Sequence, residues 1–320
     1  MHFSYEFLPT RALHRYARVA SLYARSKPRN LLTFHFEPSL WPANLHALRR
    51  GAQLAIYVEK SWDSYVKRAW FKEQLKRILF NIPAEVFVPG TDAEYYVREY
   101  RRISRSIRSL PHVVDLGYLA GARSQREQSE VLRLLYLGSL IEGKGLAYLM
   151  KGIDDVDKSL GPISLRLVGS GNMAAEIDEW AHGCGLEVTR DGFVQASELA
   201  PVLAGADVLV FPTLADTYGL VVNEALASGL AVLSSSEVGE IEERIYGGTS
   251  KARGIIFRPE SSAEITNSIE TLLRAPSMLQ QMQKAATEYA DSSFGLEKVG
   301  VINRRLVPSH VGRHRGVRRN

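Results

Sequence analysis

Two carboxylates, Asp216 and Glu224, flank a turn that leads from a predicted strand into a predicted helix. Residues 207–212 form a short apolar run that ends in proline, and a helical pattern extends from about Gly219 to Gly229. The N–H groups at the start of a helix are unpaired and carry positive potential, so this turn suits an anionic group such as a phosphate. The segment therefore suits a ligand with hydroxyls on both sides of its phosphate.

This segment resembles the E-x7-E signature of the retaining glycosyltransferases of family 4, with Asp216 in place of the first glutamate. Residues 135–145 are similar to that family's strand, glycine turn and phosphate-binding lysine, and residues 165–171 are similar to its next strand and nucleotide loop. The match is nearly continuous from residue 131 to residue 273 and is weaker upstream. The resemblance implies an α/β protein of the GT-B fold, in which two Rossmann-like, doubly wound domains face a cleft.

The resemblance also implies how a nucleoside-diphosphate sugar would be held. Glu224 would accept hydrogen bonds from the ribose, and Asp216, one methylene shorter than glutamate, would meet hydroxyls of the transferred sugar. Lys144 and the helix that begins at Gly219 would stabilise the charge on the diphosphate leaving group. Ser139 stands where the family usually has an arginine, which removes one cation. The predicted catalytic residues are Asp216, Glu224, Lys144 and His35, and the predicted donor-binding residues are Gly138, Ser139, Lys144, Gly169, Gly171, Phe193, Val194, Thr217, Tyr218, Gly219, Leu220 and Glu224.

Each of these residues also has a plainer structural interpretation. Lys144 could be a solvated lysine at a helix start, Glu224 a surface glutamate on a helix and Asp216 a turn-capping aspartate. The glycines could be ordinary turn glycines. Because no aspartate-x-aspartate pair follows a strand and no histidines cluster, we expect neither a metal nor a cofactor besides the donor substrate.

In the N-terminal half, polar residues follow two predicted strands. His35 ends the first, and the carboxyl ends of strands line the cleft in doubly wound sheets, so His35 could orient the acceptor or contact the sugar. It could equally be a structural histidine. Glu59 and Asp63 follow the second strand and could help to deprotonate the acceptor hydroxyl. Thr91 is either a further contact or a helix N-cap.

Composition agrees with a two-domain enzyme. The chain has 320 residues, of which 45% are hydrophobic and 23% charged, enough for a sizeable core. The single cysteine, Cys184, cannot form an internal disulfide, which favours a reducing compartment. No apolar run approaches the ~18–20 residues of a membrane-spanning helix, and the start lacks the pattern of a secretory signal. We therefore predict a cytoplasmic protein.

The net charge of +5 is concentrated in arginines at the two ends of the chain. Residues 10–25 place apolar side chains at helical spacing with arginines mostly elsewhere, a pattern typical of peripheral contact with an anionic membrane. The alternative is a solvated charged face over an ordinary core helix. Nucleic-acid binding is not expected, because no zinc spacing or RNA-binding motif accompanies the arginines.

Alternating strand and helix patterns predict parallel sheets with helices on both faces. Residues 1–121 are predicted to form an acceptor-side domain, 122–130 a polar linker, 131–294 a nucleotide-sugar-binding domain, and 295–320 a crossover helix and basic tail. The first domain opens with a helical pattern, whereas the family opens with a strand and a glycine-rich turn. We therefore expect either a domain of a shortened kind or a first strand–helix unit that is missing from this reading frame. The predicted strands are residues 31–36, 53–58, 84–88, 132–137, 164–168, 187–189, 208–211, 231–234 and 255–257.

Taken with the resemblance, these patterns predict a retaining, metal-independent hexosyltransferase. It would move a sugar from a nucleoside diphosphate to a glycan or lipid-linked acceptor in the synthesis of a surface polysaccharide. Two alternatives stay open at this stage. One is a non-catalytic partner that binds nucleotide sugars, which Ser139, Asp216 and the short N-terminal domain favour. The other is a nucleotide-sugar epimerase of the same architecture, which the paired carboxylates disfavour.

Overall fold

The computed structural model describes residues 17–19, 21–23, 25, 29–34, 41–59, 70–81, 85–101, 107–127, 129–247 and 251–295. These residues form two α/β units, each built on a parallel sheet. The predicted crossover helix and basic tail lie almost entirely outside the described residues.

The N-terminal sheet has four parallel strands in the order β1-β2-β3-β4. One face is covered by an apolar cluster in which the aromatic rings of Phe80 and Tyr100 stack with their centroids 5.3 Å apart. The strands are β1 (Asn30–Phe34), β2 (Gln53–Tyr57), β3 (Glu85–Val88) and β4 (Ile107–Ser109). Residues 17–19, 21–23 and 25 are helical, and they are followed by the helices α1 (Trp41–Arg49), α2 (Trp70–Phe80), α3 (Thr91–Tyr100) and α4 (Leu116–Gln125).

The C-terminal sheet has six parallel strands in the order β10-β9-β8-β5-β6-β7. Its strands are β5 (Leu132–Leu137), β6 (Ile163–Val168), β7 (Glu187–Asp191), β8 (Val208–Phe211), β9 (Ala231–Ser235) and β10 (Gly254–Phe257). Its helices are α5 (Leu146–Asp154), α6 (Ala174–Gly183), α7 (Leu199–Ala204), α8 (Leu220–Ala227), α9 (Ile241–Tyr246), α10 (Ser262–Arg274) and α11 (Pro276–Ser293).

Apolar side chains are buried on both faces of the C-terminal sheet. On β5, Leu134 and Tyr136 belong to one buried cluster and Leu135 to the other. All four residues of β8 are buried. A parallel strand covered by helices on both faces needs an unbroken apolar run, which is the pattern that the sequence has at these positions.

Nine of the strands correspond to predicted ones, whereas β4 was not predicted. That strand is only three residues long and contains Arg108 and Ser109, so it carries no hydrophobic alternation. It joins the sheet through its backbone, which pairs in parallel with β3 so that Arg108 lies opposite Phe87.

The predicted linker, residues 122–130, begins inside α4. Ala122 is fully buried, Arg123 donates a hydrogen bond to the carbonyl of Ala227, and Arg126 donates to the carbonyls of Ser228 and Gly229. These contacts tie the start of the stretch to the C-terminal half. The domain boundaries themselves stay a prediction.

The two halves meet where α3 begins. The Glu240 carboxylate accepts hydrogen bonds from the backbone N–H groups of Asp92 and Ala93, both at 2.9 Å. The Glu243 carboxylate accepts from the N–H and the hydroxyl of Thr91, and Asp92 accepts in turn from the N–H of Glu240. Carboxylates from one half therefore occupy the positive end of a helix in the other. Thr91 begins this helix, but it is not its N-cap residue, a position that Gly90 fills.

Candidate active site

A cavity of about 380 Å³ lies where the carboxyl ends of strands from both sheets face each other. Eight of the predicted site residues line it, namely the catalytic candidate Asp216 and the donor-binding candidates Gly138, Ser139, Lys144, Thr217, Tyr218, Gly219 and Leu220. Glu59 and His112 of the N-terminal half line it too. A larger cavity of about 530 Å³ lies near the amino ends of β5 and β6 and contains none of the predicted site residues.

Asp216 organises the turn before α8. Its Oδ1 accepts hydrogen bonds from the N–H groups of Tyr218 and Gly219, at 3.1 and 2.6 Å, and its Oδ2 lies 2.7 Å from Nζ of Lys144. Burial opposes ionisation of this carboxyl, but the Lys144 contact and the two N–H groups outweigh it, so the pKa of Asp216 lies below its usual range. Asp216 is thus both a turn cap and the partner of the cavity lysine.

Lys144 is placed by a short turn that only glycine can complete. The helical turn Glu142–Lys144 ends at Gly145, which has φ +68°, and a Cβ added there would lie 2.0 Å from the carbonyl oxygen of Pro212. This close approach brings the loop after β5 against the loop after β8. Lys144 consequently points toward Asp216, with its Nζ 5.6 Å from the ring centroid of Phe211.

The guanidinium of Arg244 fixes the turn at Tyr218 and Gly219 through its backbone carbonyls. Sequence patterns did not predict this role of Arg244. Arg244 is buried and donates to the carbonyls of Tyr218, Gly219 and Gly239, and its guanidinium lies 4.3 Å from the Tyr218 ring centroid. Because the turn's carbonyls point to Arg244, its N–H groups are directed elsewhere. The sequence pattern that could have revealed Arg244 is an arginine beside Ile245 on the apolar face of α9.

His112 joins the N-terminal half to this turn. The imidazole ring lies 4.3 Å from the Tyr218 ring, centroid to centroid, and the backbone carbonyl of His112 accepts from Nδ2 of Asn223. The same amide group lies 3.0 Å from the Tyr218 hydroxyl. Asn223, on α8, was also missed, since an asparagine within an apolar helix gives no distinctive pattern.

Glu224 lies on α8, one turn after Leu220, and does not line the cavity. It is half-buried, and burial raises the pKa of its carboxyl above the ordinary value. Among the described residues, none donates a hydrogen bond to this carboxylate. Its predicted contact with a ribose stays a prediction.

Four other predicted donor-binding residues, Gly169, Gly171, Phe193 and Val194, do not line the cavity. Cβ atoms added at Gly169 and Gly171 would lie 1.9 and 2.0 Å from the carbonyl oxygens of Gly138 and Leu140, so these glycines allow two loops to pack closely. Phe193 is 73% exposed, and Val194 packs against a buried cluster. His35 and Asp63 lie outside the described residues.

In the part of the chain that the structure describes, no group of three or more His, Cys, Asp or Glu side chains is suited to a metal ion. The expectation that no metal is needed stays a prediction. Within the same residues, no helix has both the length and the apolar character to cross a bilayer.

Comparison with known proteins shows what the C-terminal half is similar to. The family model described as Glycosyl transferases group 1 matches residues 132–275. A curated relative, the D-inositol 3-phosphate glycosyltransferase of Paenarthrobacter aurescens, is 25% identical over 224 residues, which cover 68% of this chain and 50% of the relative. The chain spans about half the length of the curated relatives it matches.

Solved structures share the fold along almost the whole chain. Sucrose-phosphate synthase of Thermosynechococcus elongatus superimposes with a TM-score of 0.71 at 21% identity, covering 94% of this chain and 80% of that one. The Anabaena protein Alr3699/HepE in complex with UDP and glucose gives a TM-score of 0.70 at 16% identity, covering 91% and 81%. The chain therefore has the predicted GT-B fold, and residues 132–275 match the model of the glycosyl transferases group 1 family.

Proposed function

We propose that this protein is a retaining, metal-independent hexosyltransferase that moves a sugar from a nucleoside diphosphate to a glycan or lipid-linked acceptor. The observation that carries the proposal is the Lys144–Asp216 pair, 2.7 Å apart, beside the start of α8 in a cavity between the two sheets. A lysine and a helix N-terminus together supply fixed positive potential where a diphosphate leaving group gains charge. The proposed setting is the synthesis of a surface polysaccharide.

The donor site is supported by three features that converge on one turn. The N–H groups of Tyr218 and Gly219 are organised by Asp216, their carbonyls are held by Arg244, and Leu220 begins a helix. A turn fixed in this way holds the start of α8 in place, and a preorganised helix N-terminus stabilises developing charge without reorganising during the reaction. HepE has been solved in complex with UDP, with UDP and glucose, and with UDP-glucose, which makes uridine nucleotides the first candidates here.

A second candidate is a non-catalytic protein that binds nucleotide sugars, and one observation favours it. Lys144 is already paired with Asp216, and Ser139 adds a hydroxyl and no charge. A diphosphate would enter a site whose lysine is neutralised. Slow or absent turnover with preserved binding would identify this case.

Contact with an anionic membrane is also proposed, on the cytoplasmic side. Helix α2 exposes Trp70 and Ile78 strongly, with Arg77 beside them, a combination typical of helices that lie at a bilayer surface. The N-terminal segment gives mixed support, because Arg18 and Arg25 are exposed whereas Val19 is buried. Sedimentation with vesicles of phosphatidylglycerol and phosphatidylcholine, compared with phosphatidylcholine alone, would test this contact.

The function is tested by titration calorimetry with UDP-, GDP-, ADP- and dTDP-sugars, in protein treated with EDTA, with Glu224→Ala as a matched variant. We expect one nucleotide to bind and the variant to lose about tenfold to a hundredfold in affinity, since a hydrogen bond to a charged group contributes ~1.5–3 kcal/mol. NMR of the product of a transfer assay then gives the anomeric configuration. A folded protein that binds none of these donors contradicts the proposal.

A further inference from the structure

A carboxylate and an imidazole of the N-terminal half face the donor turn across the cavity. Glu59 follows the carboxyl end of β2, and His112 lies in the loop between β4 and α4. Oε1 of Glu59 lies 3.0 Å from Nε2 of His112, and the two side chains are 19% and 22% exposed. Both line the same 380 Å³ cavity as Lys144 and Asp216.

The surrounding residues fix this pair in place. The Tyr57 hydroxyl donates to the carbonyl of Leu110 at 2.9 Å, which anchors the loop that carries His112 to β2. The His112 ring packs edge-on to the Tyr57 ring and lies against the Tyr218 ring. The pair is therefore preorganised, and a ligand that uses it would not have to order a loop.

Charge decides which part of a nucleotide sugar this pair can meet. A carboxylate repels phosphate, so Glu59 is unsuited to the diphosphate, which Lys144 and the start of α8 attract. The next group along the donor is the sugar, which has to occupy the space between the phosphate site and the N-terminal wall. Hydroxyls donate hydrogen bonds, and a carboxylate, with about four lone-pair sites, can accept them while also contacting His112.

We propose that Glu59 is a sugar-recognition residue that accepts hydrogen bonds from hydroxyls of the transferred sugar, and that His112 is the positioning residue that orients it. This inference rests on the proposed function, since it takes the sugar of a nucleotide sugar as its ligand. Its consequence is that the N-terminal domain adds a sugar contact of its own to the donor site of the C-terminal domain, where Asp216 is also predicted to meet sugar hydroxyls.

The test compares each nucleotide with and without its sugar. Calorimetry measures the dissociation constants of UDP, GDP, ADP and dTDP, and of each carrying glucose, galactose, mannose or N-acetylglucosamine. The ratio between the free nucleotide and its tightest-binding sugar form isolates the contribution of the sugar. We expect Glu59→Ala to reduce this ratio by about tenfold to a hundredfold and Glu59→Gln by less, with the affinity for the free nucleotide unchanged.

The matched control is Glu85→Gln, which removes a carboxylate from the amino end of the neighbouring strand β3, where Glu85 pairs with Arg108. It should leave the ratio unchanged. If Glu59→Ala lowers the melting temperature while the ratio stays at the wild-type value, the pair is only a structural contact and the inference is overturned. A wild-type protein that binds free and sugar-bearing nucleotides equally also overturns it, and both of these outcomes leave nucleotide binding intact.

The positioning role of His112 is tested by the same ratio between the affinities for the free and the sugar-bearing nucleotide. His112→Ala should reduce the same ratio, whereas His112→Gln, whose amide group can lie beside Glu59 in place of the imidazole, should restore most of it. Equal ratios in these two variants would remove His112 from the inference. If the wild-type protein binds none of the four nucleotides, the proposed function fails first and this inference fails with it.

Discussion

Nζ of Lys144 lies 2.7 Å from Oδ2 of Asp216, so the lysine that a diphosphate would need is already engaged by a carboxylate. Both side chains are about one-fifth exposed, which leaves the pair only partly screened by water. Under the proposed function, a diphosphate would compete with Asp216 for Lys144, and its affinity would depend on how easily this ion pair opens.

Asp216→Asn should tighten the binding of the free nucleoside diphosphate, by about threefold to tenfold, while impairing sugar transfer. The asparagine Oδ1 can still accept from the N–H groups of Tyr218 and Gly219, but the variant no longer neutralises Lys144. Calorimetry at two salt concentrations measures the change, which should shrink as salt increases. Asp216→Ala loses the turn contacts as well and should bind more weakly than Asp216→Asn. Weaker diphosphate binding by Asp216→Asn would show that the pair helps the donor instead of competing with it.

Arg244→Met should destabilise the protein by about 3–5 kcal/mol, because it leaves the buried carbonyls of Tyr218, Gly219 and Gly239 without their donor. The comparison is Arg166→Met, which breaks a more exposed contact with Asp191 and should cost no more than about 1 kcal/mol. Urea unfolding followed by circular dichroism gives both values. Similar losses for the two variants would mean that Arg244 does not hold the donor turn.

Gly145→Ala should destabilise the protein by about 2–4 kcal/mol and weaken nucleotide binding. The new Cβ would meet the Pro212 carbonyl at 2.0 Å, and φ of +68° disfavours any side chain. Gly143→Ala, in the same turn, is the control: nothing lies within 4 Å of its Cβ position, so its effect should stay within about 0.5 kcal/mol. Thermal unfolding and calorimetry of the two variants separate the role of Gly145 from a general effect on the loop.

Glu240 should make stability fall as pH rises from about 4.5 to about 7. Burial raises the pKa of its carboxyl to about 7, the charges of Asp92 and Glu243 add to this, and the two backbone N–H groups oppose it. The folded protein thus binds this proton more tightly than the unfolded chain, so the contribution is complete below pH 4.5 and lost above pH 7. We expect the free energy of unfolding to fall by about 2 kcal/mol over this pH range, after allowing for screening by solvent.

The variant Glu240→Gln should reduce the dependence of the unfolding free energy on pH. The control Glu242→Gln, which replaces an exposed carboxyl on helix α9, should leave it unchanged. Urea unfolding at intervals between pH 4.5 and 8 measures the slope. The raised pKa of Glu224 acts in the same direction, so the informative quantity is the difference between each variant and the wild type. Parallel pH curves for the wild type and Glu240→Gln would contradict the assignment. Asp216, whose pKa is lowered, loses its contribution only at lower pH.

The C-terminal domain could be predicted from sequence because its signals are local. The bounds of β5 and β8 agree with the predicted residues 132–137 and 208–211, and the helix predicted from about 219 to 229 is α8, Leu220–Ala227. Buried parallel strands are apolar throughout, and glycines mark the turns between them. The positions of Lys144 and of the turn before α8 could be predicted for the same reason, whereas their role in donor binding stays a prediction.

The contacts between the domains could not be predicted, because their partners are far apart in sequence. Glu240 adopts a left-handed backbone with φ of 60°, where glycine is the expected residue, and its carboxylate bonds residues about 150 positions away. His112 lies beside Glu59 only once β2 and β4 are in one sheet, and it packs against Tyr218 only once the two domains meet. Arg244 was missed because a buried arginine is recognised only through the carbonyls around it.

Helix α3 has its amino end completed by Glu240 and Glu243 of the other domain. A helix whose first N–H groups lose their acceptors frays from that end, so the N-terminal domain depends on its neighbour for the integrity of one of its own helices. Its folding is therefore coupled to that of the C-terminal domain, and heating should melt the two as a single cooperative unit.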